Sequence, residues 1–271
     1  MSCLVIALLI LVLLYLYLLK PNTGRGERLR PFEETYIAHR GLFHPENVPE
    51  NSCAAFACAV KQGYGIELDV QLTKDGKLVV FHDATLTRMC GVKHKLRECT
   101  YRELREFTLG QSTEKIPLFQ DVLNIVAGKV PLIIEVKAGG SWRATTEKLF
   151  EILGDYSGIF CVESFHPSVL AWCRKNRPDV LRGQLSTNYW KNNIKQVWIA
   201  KFILSNLLLN FYGSPDFIAY NYKYADGFSY SLCRKLYRVK NAAWTVRSKE
   251  ALTEAEKIFS IIIFDGFLPK E

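Results

Sequence analysis

The sequence lacks the usual signatures of zinc sites and of nucleic-acid-binding modules. Its eight cysteines form no CxxC pair and no Cys/His cluster with zinc-ligand spacing. No helix-turn-helix, zinc-finger or RNA-binding motif accompanies the net charge of +8. That charge favours an anionic partner: a phosphate, an acidic substrate or an anionic membrane surface. Nucleic acid is therefore not an expected partner, and cysteines scattered through apolar runs indicate free thiols in a reducing compartment.

The start of the chain carries no charged side chain. Between Cys3 and Leu19 every residue is apolar or weakly polar, and as a helix this stretch is about 25 Å long, near the lower limit for crossing a bilayer. A secretory signal is not predicted, because a basic start and a small-residue end are both missing. A buried core helix is the alternative, but the uninterrupted run favours a transmembrane anchor over residues 1–20. Basic residues follow it from Lys20 to Arg30, so the positive-inside rule predicts a cytoplasmic main domain.

After a polar linker at 21–34, short β-type runs alternate with helical stretches, which is typical of βαβ units. The β-type runs are 36–40, 65–71, 77–83, 131–137, 158–165, 181–186, 216–222, 241–246 and 260–266. Only LTKDG separates 65–71 from 77–83, too little for a parallel crossover, so we predict an antiparallel hairpin. The other eight runs predict an α/β fold, a TIM-type (β/α)8 barrel, over residues 35–271. A doubly wound open sheet is the alternative, but no GxGxxG follows any strand.

Three acidic side chains fall on inward pleats of two predicted strands. Because side chains alternate along a strand, Glu67 and Asp69 share one face of 65–71, and Glu135 takes the corresponding face of a later strand. Three inward carboxylates would repel by several kcal/mol without a cation among them. A structural salt-bridge network is the alternative, but Lys137 offers only one positive charge. Carboxylate oxygens are the ligands that Mg²⁺ and Ca²⁺ prefer, so we predict a divalent-cation site.

Basic and titratable side chains are expected at the same end of the barrel. The active site of such a barrel lies at the C-terminal ends of its strands, where His39 and Arg40 end the first run and Lys137 ends a later one. His82 returns to this end from the hairpin. We expect Arg40 and Lys137 to bind phosphate oxygens, and the two histidines to act as general acid and general base. Trp244 is expected on the rim, where it packs and contacts ligand.

These segments resemble the glycerophosphodiester phosphodiesterase family. The matching motifs, in the family's order and spacing, are HRG (39–41), PEN (49–51), ELDVQLTKDGKLVVFHD (67–83), LTR (86–88), IPLFQDVL (116–123), IEVK (134–137), SF (164–165) and WTV (244–246). The resemblance implies a (β/α)8 barrel with a small insertion after His82. It also implies a divalent cation on Glu67, Asp69 and Glu135. His39 and His82 match the family's acid–base pair.

The resemblance further implies the reaction. Arg40 and Lys137 match the family's phosphate-contacting residues, and the expected activity is metal-dependent hydrolysis of a small glycerophosphodiester to glycerol 3-phosphate and an alcohol. Two departures from the family bear on substrate preference. Phe264-Asp265-Gly266-Phe267 stands where the family usually has Thr-Asp-x-Pro, and Arg247 follows Trp-Thr-Val where asparagine is common.

Two other functions stay open at this point. Lysophospholipase D or phospholipase C-like cleavage of membrane lipids would use the same site. It is favoured by the N-terminal apolar run and by a second apolar stretch, 197–220, which we expect both to pack on the barrel and to touch a membrane interface. A non-catalytic phosphodiester-binding module is disfavoured, because both histidines and all three acids are present. The sequence does not indicate an oligomeric state.

Overall fold

The computed structural model describes residues 2–44, 47–139, 141–192 and 195–270. Within these ranges the strands are β1 (Ile37–His39), β2 (Gly65–Leu72), β3 (Leu78–Val80), β4 (Leu132–Val136), β5 (Phe160–Ser164), β6 (Leu181–Ser186), β7 (Phe217–Asn221), β8 (Lys240–Val246) and β9 (Ile261–Phe264). The α-helices are α1 (Ser2–Leu19), α2 (Arg30–Glu33), α3 (Cys53–Gln62), α4 (Thr87–Cys90), α5 (Tyr101–Leu104), α6 (Phe119–Val126), α7 (Trp142–Ile152), α8 (Pro167–Asn176), α9 (Trp198–Ser205), α10 (Asn210–Gly213), α11 (Phe228–Lys235) and α12 (Lys249–Glu256). Short 3₁₀ turns are Gly26–Leu29, Leu96–Glu98 and Tyr222–Tyr224.

In the described part of the chain, eight parallel strands close into a barrel. Their order around the ring is β1, β2, β4, β5, β6, β7, β8 and β9, and β9 pairs with β1 to close it. β3 instead runs antiparallel to β2, with Val80 opposite Val70. Both the (β/α)8 barrel and the hairpin predicted from its short connection are therefore confirmed.

The stretch between β3 and α6 is a small insertion with its own apolar core. The buried members of that core are Val79, Phe81, Leu86, Leu96, Cys99, Leu104, Leu109 and Ile116. Within it, α5 begins with a capping box between Thr100 and Glu103, which satisfies two backbone N–H groups of its first turn. The insertion thus gives the segment around His82 a packed support of its own.

Side chains alternate across the strands as the two-residue period requires. Ile66, Leu68 and Val70 of β2 face outward and pack in the main core beneath the helices. Glu67 faces a cavity at the open end of the barrel. The interior apolar layer consists of Ile37, Ile133, Cys161, Leu181, Leu185, Phe217, Ala219, Ala242, Ile261 and Ile263, joined by Leu29 and Phe32.

Residues 21–34, for which the sequence predicts a linker, cover the N-terminal end of the barrel. Leu29 and Phe32 are fully buried and fill the barrel interior from below. Lys240, the first residue of β8, donates from Nζ to Glu33 Oε1 at 2.7 Å, which fixes α2 at this end of the strands. The interior is therefore filled at the N-terminal end, and the cavity lies at the C-terminal end, which we call the mouth.

α1 packs on the barrel only through its C-terminal end. Asn210 Nδ2 donates to the carbonyl of the buried Leu19 at 3.1 Å, and Tyr237 Oη donates to the carbonyl of Leu16 at 2.7 Å. From Leu4 to Leu14 the large apolar side chains are 48–78% exposed. The prediction of a transmembrane helix is not confirmed, because no helix within the described ranges combines the length and the apolarity that crossing a membrane requires.

The contacts of α1 with α11 fix the direction in which α1 points. α11 follows β7, so its first residues lie at the mouth end of the barrel. Tyr15 Oη is 2.8 Å from Ser229 Oγ near the start of α11, whereas the Leu19 carbonyl lies 3.7 Å from Cys233 Sγ, a turn further along. The exposed part of α1 therefore projects beyond the barrel on the side of the mouth.

Candidate active site

The mouth holds a cavity of about 340 Å³. Seven of the residues predicted from the sequence line it: His39, Arg40, Glu67, His82, Glu135, Lys137 and Trp244. The eighth, Asp69, is buried directly behind them, with Oδ1 2.8 Å from Lys137 Nζ. The structure therefore brings all of the predicted site residues to one place, from β1, β2, the hairpin, β4 and β8.

Glu67, Asp69 and Glu135 form a buried carboxylate cluster. Each offers one oxygen, and these oxygens lie within 4.8 Å of one another. Lys137 Nζ bridges two of the acids, at 2.8 Å from Asp69 Oδ1 and 2.8 Å from Glu135 Oε1. Arg40 Nε is 3.5 Å from Asp69 Oδ2, and its backbone N–H donates to Glu67 Oε2 at 3.0 Å.

The protonation of this cluster reflects a surplus of negative charge. Burial, with the charges of Asp69 and Glu135 close by, raises the pKa of Glu67 well above its ordinary value. Burial also acts to raise the pKa of Asp69, but Lys137 and other cations outweigh it and hold that pKa below its usual range. The positive charges of the described residues thus stabilise the ionised form of some of these acids and not of all. An additional cation with oxygen ligands would relieve the surplus, so the three residues fit a divalent metal ion.

Glu163 is a fourth acid at this site, and sequence reasoning missed it. It lies on β5 opposite Glu135, lines the cavity and is 1% exposed. Burial and the charge of Glu135 raise the pKa of Glu163 well above its ordinary value. Glu163 follows the inward-facing Cys161 by two positions, so the alternation that indicated Glu67 also places Glu163 inside.

The carboxylate of Asp265, with Arg247 behind it, holds His39 in place. We call these three residues the His39 triad. His39 Nδ1 lies 2.8 Å from Asp265 Oδ2, and Arg247 Nε donates to Asp265 Oδ1 at 2.7 Å. Burial lowers the pKa of His39, and the nearby charge of Asp265 offsets this only in part. Burial acts to raise the pKa of Asp265, but His39 and Arg247 outweigh it, so that pKa is lowered. With Nδ1 occupied, Nε2 is the nitrogen that His39 leaves free for the cavity.

His82 is held in the same way, in a His82 triad with Asp83 and Arg88. His82 Nδ1 lies 2.6 Å from Asp83 Oδ1, and Arg88 Nε donates to Asp83 Oδ2 at 2.7 Å. Burial acts to raise the pKa of Asp83, but hydrogen bonds with His82 and Arg88 outweigh it and hold the pKa well below its usual range. Both histidines therefore have Nδ1 on an ionised carboxylate that an arginine keeps in place.

The loop after β1 connects the His82 triad to the carboxylate cluster. Glu50 accepts from Arg88 Nη1 at 2.8 Å and from Arg40 Nη1 at 2.7 Å, and Asn51 Nδ2 donates to Asp69 Oδ2 at 2.8 Å. The turn into this loop requires glycine at position 41, where φ is +82° and a Cβ atom would lie 2.9 Å from Ala55. The HRG and PEN motifs thus form one hydrogen-bonded support beneath the cavity.

Sequence reasoning also missed Asp83 and Arg88 as partners of His82, and it missed that Asp265 pairs with His39. Asp265 directly follows the last residue of β9, so the strand-end rule that indicated His39 also indicates Asp265. Asp83 adjoins His82 in the sequence, which was the available signal for it. Arg88 lies in the insertion, and no sequence rule places its guanidinium between Glu50 and Asp83.

A family model described as "Glycerophosphoryl diester phosphodiesterase family" matches residues 39–265, a range that begins at His39 and ends at Asp265. A curated glycerophosphodiester phosphodiesterase of Caldanaerobacter subterraneus subsp. tengcongensis is 39% identical over 160 residues, which are 55% of this chain and 65% of that protein. Another from Bacillus altitudinis is 32% identical over 198 residues, which are 63% of this chain and 80% of that protein.

Solved structures share the fold. A phosphodiesterase of Oleispira antarctica, in complex with the product sn-glycerol-3-phosphate, superimposes with a TM-score of 0.71 at 22% identity and covers 87% of this chain and 94% of that one. A glycerophosphodiester phosphodiesterase of Thermotoga maritima gives a TM-score of 0.65 at 24% identity, covering 85% and 94%. At these identities the likeness establishes the barrel architecture.

Proposed function

The chain belongs to the glycerophosphoryl diester phosphodiesterase family, and on this basis we propose that it is a metal-dependent glycerophosphodiester phosphodiesterase. It hydrolyses a small glycerophosphodiester to glycerol 3-phosphate and an alcohol. The observation that carries the proposal is the cavity at the mouth, where two carboxylate-held histidines, two cations and a carboxylate cluster face one space. Acid–base groups, cations that bind the phosphate and a site for a metal ion are the three kinds of group that a metal-dependent phosphodiesterase can use together.

Glu67, Asp69 and Glu135 would hold the metal ion. Mg²⁺ and Ca²⁺ are the candidates, because both prefer oxygen ligands, and either ion when bound would offset charge that develops on the phosphate oxygens. Lys137 and Arg40 line the same cavity and would bind phosphate oxygens directly. Trp244 and Phe165 meet edge to face at 5.6 Å and give the cavity an apolar wall.

His39 and His82 would move the two protons of the reaction. The nucleophile, either water or a glycerol hydroxyl of the substrate, loses its proton to one histidine as it attacks phosphorus; in the second case a cyclic phosphate forms, which water then opens to glycerol 3-phosphate. The other histidine gives a proton to the leaving alkoxide. Each acts through Nε2, because Nδ1 is bonded to Asp265 or Asp83. Arg247 and Arg88 keep those two carboxylates oriented and charged.

The proposal is tested with purified protein, glycerophosphocholine and glycerophosphoethanolamine. We expect glycerol 3-phosphate and the free alcohol in equal amounts, and we expect EDTA to abolish both. Release of phosphocholine would instead indicate phospholipase C-like cleavage. Binding of the diester without release of any product would indicate a non-catalytic module and contradict the proposal.

Replacing Asp265 with asparagine should move one limb of the pH profile of kcat/KM to lower pH. The charge of Asp265 acts to raise the pKa of His39 against the effect of burial, so its removal lowers that pKa further. If His39 is the general base the acidic limb moves, and if it is the general acid the basic limb moves. The measurement thus also assigns the role of His39.

Asp179, exposed at the opposite end of the barrel, supplies the matched control. Asp179→Asn should leave both limbs where they are in the unmodified protein. A shift of either limb to higher pH in Asp265→Asn, or no shift at all, would contradict the place we give to Asp265.

We infer that α1 and α9 attach the barrel to a membrane surface. The projecting part of α1 is apolar on every face, and such a helix is normally buried in protein or lipid. Val197, Trp198, Ile199 and Phe202, at and near the start of α9, are 51–70% exposed. The cytoplasmic location is likewise proposed, and it is supported by the eight free cysteines.

Flotation with lipid vesicles tests this attachment. The full chain should float with neutral and anionic vesicles at low and high salt, because salt does not screen apolar burial. A form that starts at Tyr15 should float weakly through α9 and the basic surface, more on anionic than on neutral vesicles and less at high salt. Absence of flotation by the full chain would contradict the inference. Equal flotation of the full chain and the truncated form would show that α1 does not contribute to the attachment.

A further inference from the structure

Glu163 is a buried acid of the active-site cavity that has no role in the reaction described above. It lies on β5, lines the cavity and is 1% exposed. Its Oε2 is buried and has no hydrogen-bond partner among the described residues. Buried polar atoms in folded proteins are normally paired, so this oxygen indicates a place where a ligand in the cavity supplies the missing partner.

The predicted metal site does not account for Glu163. The carboxylate oxygens that lie within 4.8 Å of one another belong to Glu67, Asp69 and Glu135, and Glu163 contributes none of them. Glu163 lies opposite Glu135 on the next strand, which is about 4.8 Å further round the barrel. Lys137 Nζ is bonded to Asp69 and Glu135 instead. The partner that Glu163 lacks is therefore expected in the part of the cavity beyond the metal ligands.

A second buried polar atom of the cavity also lacks a partner, and its role is the opposite one. Trp244 Nε1, which can only donate, bonds to none of the described residues. The Trp244 ring meets that of Phe165, two positions beyond Glu163. A metal ion or an ammonium group could complete the carboxylate alone, because neither accepts a hydrogen bond. A hydroxyl both donates and accepts, so a ligand that carries hydroxyl groups fits both atoms.

We propose that Glu163 binds the terminal hydroxyl of the substrate's glycerol group. This inference rests on the proposed function and names the residue through which the site distinguishes glycerol from other alcohols. Arg40 and Lys137 would hold the phosphate beside the metal ligands, so a group that reaches the next strand must lie several bonds from phosphorus. The terminal hydroxyl is the group of the glycerol that lies farthest from it. A carboxyl group bonds a hydroxyl in either protonation state, since it accepts when ionised and also donates when protonated.

The first test compares three phosphocholine diesters with choline release as the readout, at saturating Mg²⁺ or Ca²⁺. Glycerophosphocholine has both hydroxyls, the propane-1,2-diol ester lacks the terminal one, and the propane-1,3-diol ester lacks only the other. Loss of the terminal hydroxyl should lower kcat/KM by about 10-fold to 10²-fold, the usual effect of losing a hydrogen bond to a charged group.

The outcomes of this comparison separate the inference from the proposed function. Equal kcat/KM for glycerophosphocholine and the propane-1,2-diol ester, or a loss confined to the propane-1,3-diol ester, overturns the assignment of Glu163 and leaves the proposed function intact. Absence of hydrolysis for all three diesters overturns the proposed function, and with it this inference. The comparison uses the unmodified protein, so it does not depend on whether a variant folds.

The second test changes Glu163 itself. In Glu163→Leu the ratio of kcat/KM for glycerophosphocholine over the propane-1,2-diol ester should fall to about 1, because no partner for the hydroxyl remains. Glu163→Gln keeps an acceptor and a donor at the same place and should keep most of the ratio. Glu147, exposed on α7, supplies the control, and Glu147→Leu should leave the ratio as in the unmodified protein. An unchanged ratio in Glu163→Leu, or an equal fall in Glu147→Leu, overturns the assignment.

Calorimetric titration with Mg²⁺ or Ca²⁺ separates a substrate-binding role from a metal-binding one without using activity. Glu163→Leu should still bind the metal ion, whereas Glu67→Gln should bind it much more weakly. Loss of metal binding in Glu163→Leu to the same extent as in Glu67→Gln would make Glu163 a metal ligand and overturn the inference.

Discussion

Replacing either His39 or His82 with alanine should lower kcat by about 10²-fold or more, because each variant loses one partner in proton transfer. The fold should persist, since neither ring belongs to an apolar cluster of the described residues. The carboxylates left behind also keep a partner: Arg247 Nη2 still donates to Asp265 at 3.1 Å, and Arg88 still donates to Asp83. Steady-state kinetics together with a thermal unfolding curve measure both outcomes.

A substrate that needs no protonation of its leaving group separates the two histidines. With p-nitrophenol as the leaving alcohol, the variant that lacks the general acid should recover most of its activity, and the variant that lacks the general base should not. His94, which packs near Phe107 in the insertion, is the matched control, and His94→Ala should retain full activity. Restoration of either histidine variant by excess metal ion would contradict the assignment, because a proton-transfer group is not replaced by more metal.

Replacing Glu67 with glutamine or Asp69 with asparagine should weaken metal binding, so that activity at low metal concentration falls by about 10-fold to 10²-fold or more. Saturating Mg²⁺ or Ca²⁺ should restore part of the loss, since the other ligands remain. Activity measured as a function of metal concentration gives this result directly. Asp265→Asn, which alters no proposed metal ligand, is the control. Added metal ion should not restore the activity that this variant loses.

Thermal unfolding without substrate gives an independent readout of the same site. In EDTA, Glu67→Gln should be more stable than the unmodified protein above the ordinary carboxyl pKa. Because the pKa of Glu67 is raised in the folded protein, ionisation of this group favours the unfolded state at pH values above the ordinary carboxyl pKa. The resulting loss in the free energy of unfolding of the metal-free protein grows as the pH rises towards the folded-state pKa. On addition of metal the order should reverse, because binding to the native state stabilises the protein that binds more tightly. A variant less stable than the unmodified protein in EDTA would contradict the charge surplus we describe.

Several of the predicted site residues lie at the mouth because their position follows from local periodicity. Glu67, Asp69 and Glu135 lie on inward pleats because side chains alternate along a strand, and that period does not depend on the rest of the fold. His39 and Lys137 follow from the rule that strand ends meet at the mouth. Their roles stay predictions, but their placement at one cavity is observed.

Two pairings that the sequence did not predict depend on contacts between distant parts of the chain. Asp265 meets His39 across 226 positions, when β9 closes the ring against β1. Arg88 reaches Glu50 only because the insertion folds over the loop that follows β1. The same holds outside the site. The sequence predicts that the stretch 197–220 packs in part on the barrel, but its division into α9 and α10, with Leu207 at a φ of +56°, follows from no pattern.

The docking of α1 has a consequence for how its sequence is free to vary. Tyr15 and Leu19 fix the C-terminal end of α1 to α10 and α11. The segment from Leu4 to Leu14 therefore leaves the barrel as a rigid helix about 16 Å long, which we call the spoke. Because the spoke is apolar on all sides, turning it about its axis by deletion of one residue changes nothing that it presents. In the membrane attachment proposed above, its length would set the distance between the mouth and the membrane surface. Substitutions among leucine, isoleucine and valine in this segment should therefore be neutral. Insertions and deletions should be tolerated only where they are short enough to keep the mouth within reach of that surface.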